Sequence, residues 1–180
     1  ANRDLAGEDF DFSRLGARWL HLGYLMLLDS LDAPDPADPS RPCAARVFEE
    51  AQAAGLKTTL DLVSDLQPRL REIVLPCLGH VDALIANEVE VGALAQVPLR
   101  DESGQKFLSG NLEAAARELH RHGLPLVVIH APEGGFWSEQ TVPQGPRTIW
   151  QPSLSVPQSF IQGTAGAGDA FCAGILLGLH

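Results

Sequence analysis

Gly163-Thr164-Ala165-Gly166-Ala167-Gly168-Asp169-Ala170-Phe171 runs directly into apolar positions at Ala173, Ile175, Leu176 and Leu179, so a loop of small residues opens a helix that begins near Ala167. The N–H groups of a helix's first turn lack intrahelical partners, and the helix dipole adds partial positive charge there. An anion can therefore be held at such a junction without Lys or Arg. Asp169 falls in that first turn, where a carboxylate could accept the proton of a hydroxyl attacking the bound group. A plainer use of the same residues is open on spacing alone: Gly166 and Gly168 permit a tight turn or close packing, and Asp169 is a favourable helix N-terminal charge. The order is not a Walker loop, which needs a Lys, nor G-x-G-x-x-G, because Phe171 stands where the last Gly should fall.

Upstream of this junction, helical and extended patterns alternate. Asp32 to Pro42, rich in Asp, Pro, Ser and Ala, reads as an exposed loop. Ser40 and Pro42 then supply a cap and a first-turn proline for a helix carrying Ala44, Val47, Phe48, Ala51 and Ala54 and stopping at Gly55. Leu56 to Val63 reads as a strand, Leu66 to Cys77 as a helix with Pro68 near its start, and Val81 to Ala86 as a short buried parallel strand. Helices are expected over Glu88 to Ala95 and over Leu112 to His122, the latter ending before Gly123; Leu124 to His130 is the clearest strand. From Phe136 to Pro157 the Gly and Pro punctuation suggests antiparallel edge strands or a hairpin. Such alternation predicts a mainly parallel sheet covered on both faces, with ligands gathered beyond the carboxyl ends of the strands.

Composition narrows the function further. The 180 residues, 45% hydrophobic with 17 Gly and 13 Pro, suffice for a single α/β domain over residues 1–180. Thirteen Lys and Arg against 23 Asp and Glu leave a formal charge of -10, which argues against nucleic-acid binding and for a small-molecule ligand. Cys43, Cys77 and Cys172 form no C-x-x-C pair, so neither a disulfide framework nor a cysteine-based zinc site is expected, and a reducing cytoplasm is. Trp19 to Leu28 is too short and too interrupted to cross a bilayer, so no membrane role follows. Trp19, Trp137 and Trp150 read as packing residues, and His120 with His122 as a helix end. The chain starts at Ala1 and stops at His180 inside an apolar helical pattern, which reads as a fragment incomplete at both ends.

Gly163 to Gly174 resembles the C-terminal signature of the ribokinase-like (PfkB) family of carbohydrate and nucleoside kinases, whose Gly-Ala-Gly-Asp core is matched by Gly166 to Asp169. The resemblance implies a ribokinase-like three-layer α/β/α sandwich. It also implies that Asp169 deprotonates the acceptor hydroxyl while the amides of Gly166, Ala167 and Gly168 form an anion hole for the transferred phosphoryl. Thr164 is placed with the phosphate-binding residues. Asn87-Glu88-Val89-Glu90 is similar to the family's Asn-x-x-Glu motif, which implies that Asn87 and Glu90 order the nucleotide phosphates and that Glu90 reaches Mg²⁺ through water. A hydrated Mg²⁺ needs few direct protein oxygens. On residue types alone Asn87 reads first as a helix cap with Glu90 at the third helical position.

Val127 to Trp137 resembles the family's strand and turn leading to the nucleotide, with Gly135 retained. His130 stands where Thr is common and Pro132 where Gly is common, so the loop around Glu133 is expected to take another shape. His130 either donates to a phosphate or is an ordinary polar strand end. Asp61, after a strand, reads as a turn cap and stays outside the catalytic set. Gly163 replaces an Asp that many relatives use beside a monovalent cation, which leaves that cation open. The likeness runs from about Trp19 to the end. Relatives carry further sequence before it, with a lid and residues for the sugar hydroxyls, and beyond it a helix for the adenine pocket.

The activity implied is ATP-dependent transfer of the γ-phosphoryl to a hydroxyl of a sugar or nucleoside-like substrate, with ATP and Mg²⁺ as cofactors, in a cytoplasmic protein that binds neither nucleic acid nor membrane. A homodimer is left open. The alternative is a non-catalytic nucleotide- or metabolite-sensing module on the same fold, motivated by His130, Pro132 and Gly163. A nicotinamide-dependent dehydrogenase draws only on the α/β pattern and lacks its fingerprint.

Overall fold

Runs that are apolar at every position form strands buried on both faces, and here they build the centre of one sheet. A computed structural model of the chain describes residues 2–14, 16–64, 68–141, 145–161 and 163–180. In chain order the elements are β1 (Trp19–Leu25), α1 (Asp29–Asp32), β2 (Pro34–Asp35), β3 (Asp38–Pro42), α2 (Cys43–Ala53), β4 (Lys57–Leu62), α3 (Leu70–Val74), β5 (Ala83–Asn87), α4 (Glu88–Ala95), α5 (Leu112–His120), β6 (Leu126–Ala131), β7 (Gly134–Thr141), β8 (Gly145–Pro152) and α6 (Ala167–Leu179). The main sheet has the order β1-β4-β5-β6-β7-β8. Its first four strands are mutually parallel and its last two pairings, β6 with β7 and β7 with β8, are antiparallel, so β7 and β8 form the hairpin expected from the Gly and Pro punctuation. No helix among the described residues is long and apolar enough to cross a membrane.

The alternation of side chains across the sheet separates two cores. Leu60, Leu84, Ala86, Val127 and Ile129 face Val47 and Phe48 of α2, Val74 of α3, Leu94 of α4 and Leu119 of α5. Their neighbours Ala83, Ile85, Leu126 and Val128 point the other way, onto Cys172, Phe171, Ile175 and Leu176 of α6. Because β1, β4, β5 and β6 run in one direction, Tyr24, Asp61, Asn87 and His130 all fall near carboxyl ends on the same side of the sheet.

Three expectations are corrected. Asp32 to Pro42 is not a plain exposed loop: β2 and β3 pair as a small antiparallel ribbon, and Asp35 is fully buried with Arg46 and Arg41 within 3.3 and 3.6 Å. Local composition hides this, because the arginines that neutralise Asp35 come from beyond the turn. Ser40 does not cap α2; its hydroxyl donates to Asp38 Oδ1 at 2.6 Å, and Pro42 is the capping residue. The helix expected from Leu66 to Cys77 has its start outside the described residues. Its remainder is α3 followed by a 3₁₀ turn, Leu75–His80, where Pro76 has no N–H to continue α-helical bonding.

Arg100 clamps two flanks of the sheet's carboxyl edge. Its guanidinium donates to Glu88 at 2.7 and 2.9 Å and to Glu133 at 2.6 and 2.7 Å, tying the start of α4 to the two-residue turn between β6 and β7. Pro132 and Glu133 occupy that turn. Glu88 is nearly buried and Glu133 is more open, with side-chain exposures of 9% and 39%. Removing the shared cation strands a buried carboxylate, so Arg100→Met should lower the unfolding free energy by about 3 kcal/mol. Glu133→Gln, at the exposed end, should cost under ~1 kcal/mol. Urea denaturation of both variants checks the ordering.

Candidate active site

The first turn of α6 begins at Gly166, whose φ of 78° lies in the left-handed region that favours glycine. The Ala167 N–H donates to the Thr164 carbonyl at 3.1 Å, so of the three amides expected at an anion hole it is already engaged. The N–H groups of Gly166, Gly168 and Asp169 have no acceptor among the described residues. Gly168 lies against His130: a Cβ there would be 3.4 Å from Cε1, contact distance, so the imidazole packs directly on the turn.

Tyr24, Asp61, Leu62, Val63, Ser64, Asn87, Glu90, His130, Gly166, Gly168 and Asp169 line one cleft of about 210 Å³. It lies at the carboxyl edge of the parallel strands, where α/β sheets bind ligands. Larger hollows lie elsewhere, one of about 360 Å³ beside Val89, Ala93 and Leu99, but its only charged lining groups, Glu88 and Arg100, are bonded to each other.

Asp169 is exposed at the mouth of the cleft. The Tyr24 hydroxyl donates to its Oδ1, which pushes the phenol up to about 12. Its Oδ2 faces the turn, 4.0 Å from the position of a Cβ on Gly166. One carboxylate oxygen is thus held by a phenol while the other stands beside the free amides.

Asn87 and Glu90 form a complete capping box. Asn87 Oδ1 accepts from the amides of Val89 and Glu90 at 2.9 Å, and Glu90 Oε2 accepts from the Asn87 N–H at 2.9 Å. The Ser64 hydroxyl donates to Glu90 Oε1 at 2.8 Å and accepts from Asn87 Nδ2 at 2.9 Å. The cap and the site use the same two residues: the box holds both side chains at the cleft edge. Burial raises the Glu90 carboxyl, offset in part by these donors.

Asp61 is 6% exposed, and burial lifts its carboxyl to about 6, with the charges of Glu90 and Asp169 adding to the rise. Three carboxylates and no Lys or Arg line the cleft. Each carboxylate keeps lone pairs beyond its present bonds, so this oxygen-rich donor set fits a hard, hydrated divalent cation. His130 is half-buried, tilted against Phe171 with ring centroids 5.0 Å apart, and burial lowers its imidazole.

Of the residues singled out in the sequence, Asp169, Gly166, Gly168, Asn87, Glu90 and His130 meet in this cleft. Gly135 and Thr164 are not among its lining residues: Gly135 pairs with His130 across the hairpin and underlies Phe171, and Thr164 braces the turn through its carbonyl. Tyr24, Ser64 and Asp61 were missed or set aside. A strand-end Asp is a weak signal, and a single tyrosine 145 residues from its partner carries none.

The comparisons with known proteins agree with this geometry. The model of the pfkB family carbohydrate kinases matches residues 31–180. No curated protein matches the chain. Among solved structures, the chain is similar to a PfkB protein from Polaromonas sp. JS666 (21% identity, TM-score 0.66, 98% of this chain and 51% of that one). It is similar to Arabidopsis thaliana ribokinase complexed with ribose and ATP (25% identity, TM-score 0.55, 72% and 36%). It also resembles pyridoxal kinase from Trypanosoma brucei (18% identity, TM-score 0.58, 91% and 55%). The chain therefore spans between about a third and just over half of these relatives' lengths. With the family's model matched over five-sixths of its residues and a ribokinase-like sheet beneath the cleft, the chain belongs to the pfkB family of carbohydrate kinases.

Proposed function

We propose that the protein transfers the γ-phosphoryl group of ATP to a hydroxyl of a sugar or nucleoside-like small molecule in the cytoplasm. The observation that carries this reading is the pairing of a carboxylate oxygen, Asp169 Oδ2, with the free main-chain donors of the same helical turn. The acceptor hydroxyl gives its proton to Asp169 as its oxygen bonds to the γ-phosphorus, and the bond from that phosphorus to the β,γ-bridging oxygen breaks to release ADP. Charge on the transferred group is met by the N–H groups of Gly166, Gly168 and Asp169, fixed dipoles that need no reorganisation.

Tyr24 holds Asp169 Oδ1, so the carboxylate presents Oδ2 to the acceptor. His130, packed on Gly168, is placed to donate to a phosphoryl oxygen. Glu90, with Asn87 beside it, would hold Mg²⁺ through water, and the ion would supply positive charge to the β- and γ-phosphates. Ribokinase with ribose and ATP, and pyridoxal kinase, both share this fold, which supports a small alcohol as acceptor.

Asp169→Asn keeps the shape of the turn and removes the base. ADP release in the presence of ATP, Mg²⁺ and a panel including ribose, nucleosides and pyridoxal should fall about 10²- to 10⁴-fold in kcat, with ATP binding by calorimetry retained. Undiminished turnover would overturn the reading, and ATP binding without turnover by the unaltered chain across the panel would favour a sensing module. Glu90→Gln preserves the capping box but loses a charge, so the Mg²⁺ concentration for half-maximal rate should rise while the melting temperature changes little. A Mg²⁺ titration of the initial rate checks it.

A further inference from the structure

Beside the cleft, sharing Asp61 with its lining, lies a second constellation whose other members, exposed His21 and buried Cys172, have no part in the proposed phosphoryl transfer. His21 of β1, Asp61 of β4 and Cys172 of α6 bring a ring nitrogen, a carboxylate oxygen and a sulfur within 4.8 Å of one another. Cys172 Sγ is 3.8 Å from His21 Nε2. The orientation of the ring follows from its other nitrogen. The Thr59 hydroxyl lies 3.0 Å from His21 Nδ1 and 3.3 Å from the Leu20 carbonyl. Donation to the carbonyl lets the hydroxyl accept from Nδ1–H, and in that tautomer Nε2 presents its lone pair toward the sulfur.

Among the described residues, Asp61 has one main-chain donor, the Leu62 amide at 2.8 Å, and the charges that act on it are the anions Glu90 and Asp169. A buried carboxylate without a cation, facing a fixed imidazole lone pair and a buried thiol, lacks a positive charge at the point where all three converge. We propose that His21, Asp61 and Cys172 form a binding site for a borderline-soft divalent cation of the zinc class, with a fourth position open to the cleft.

Zinc takes nitrogen, oxygen and thiolate ligands at about 2.0 to 2.3 Å in a tetrahedron, which sets ligand atoms about 3.5 Å apart. The sulfur and the ring nitrogen are already 3.8 Å apart, and the three ligand atoms, within 4.8 Å of one another, would have to draw in by roughly 1 Å to reach that geometry. On binding, the Cys172 proton passes to solvent and a sulfur–metal bond replaces it. Thiolate and carboxylate then balance the ion's two charges. Thr59 is the outer partner that fixes the imidazole, as metal-bound histidines require. The thiolate selects against Mg²⁺, which prefers oxygen. Cysteine spacing gave no sign of the site, because its ligands come from three separate elements.

The test uses the reduced, metal-free 180-residue chain, with Zn²⁺ titrated against a chromophoric chelator and Co²⁺ added as a spectroscopic probe. A single tight zinc, a thiolate-to-cobalt absorption band and resistance to excess Mg²⁺ are expected. Cys172→Ser should lose the band, and Thr59→Val should weaken zinc binding about 10- to 100-fold. Absence of the band from the unaltered chain overturns the proposal, as does its persistence in Cys172→Ser, which would place the metal on another thiol. If a variant fails to fold by circular dichroism, the band in the unaltered chain decides. The assay needs neither nucleotide nor acceptor, so its outcome is separate from that of the phosphoryl-transfer reading.

Discussion

Contact between the bare backbone of Gly168 and the ring of His130 sets how closely the first turn of α6 approaches the carboxyl end of β6. A Cβ at position 168 would meet His130 Cε1 at 3.4 Å, an ordinary contact, whereas one at Gly135 would come within 3.2 Å of the Phe171 ring against which the imidazole is tilted. Below this contact, Phe171 and Cys172 anchor the helix on Ala83, Ile85, Leu126 and Val128. The free amides and Asp169 stand where they do because a short apolar interface holds the helix at that height and angle. The geometry of this turn is therefore a consequence of packing one turn away from it.

The charge pattern bears on how an acidic protein would meet the anionic ligands proposed for it. With a formal charge of -10 and no Lys or Arg in the cleft lining, long-range attraction does not recruit phosphate. In the proposed reaction short-range groups would take over: main-chain N–H donors at a helix start act over hydrogen-bond distances, and a carboxylate cluster suits a divalent cation accompanying the nucleotide. The raised carboxyl groups of Asp61 and Glu90 express the same imbalance, since burial and mutual repulsion both disfavour their charged forms.

Structural and functional roles coincide at several residues. Asn87 and Glu90 close a capping box and line the cleft, and Gly166 both permits the left-handed turn and leaves its amide free. The capping box expected at Asn87 and Glu90 is present, and it stands at the cleft because a cap at a parallel strand's carboxyl end lies at that edge of the sheet. Gly135 and Thr164 differ: their motif positions are kept, but their contacts are with Phe171 and the Ala167 amide.

Strand and helix periodicity, the parallel sheet and the Gly166 to Asp169 turn were legible in the chain itself, because each depends on neighbours within a few residues. The helix from Glu88 to Ala95 and the start of α6 at Ala167 fall where the pattern places them. Asp35 inside its ribbon, Tyr24 on Asp169, and His21 beside Cys172 were not legible. Each joins elements whose adjacency is created by strand order, and no local spacing encodes which strand will lie beside which. Sequence alone determined the chemistry available at the turn; the tertiary structure decided which side chains surround it, because only the closed sheet brings β1, β4 and α6 together.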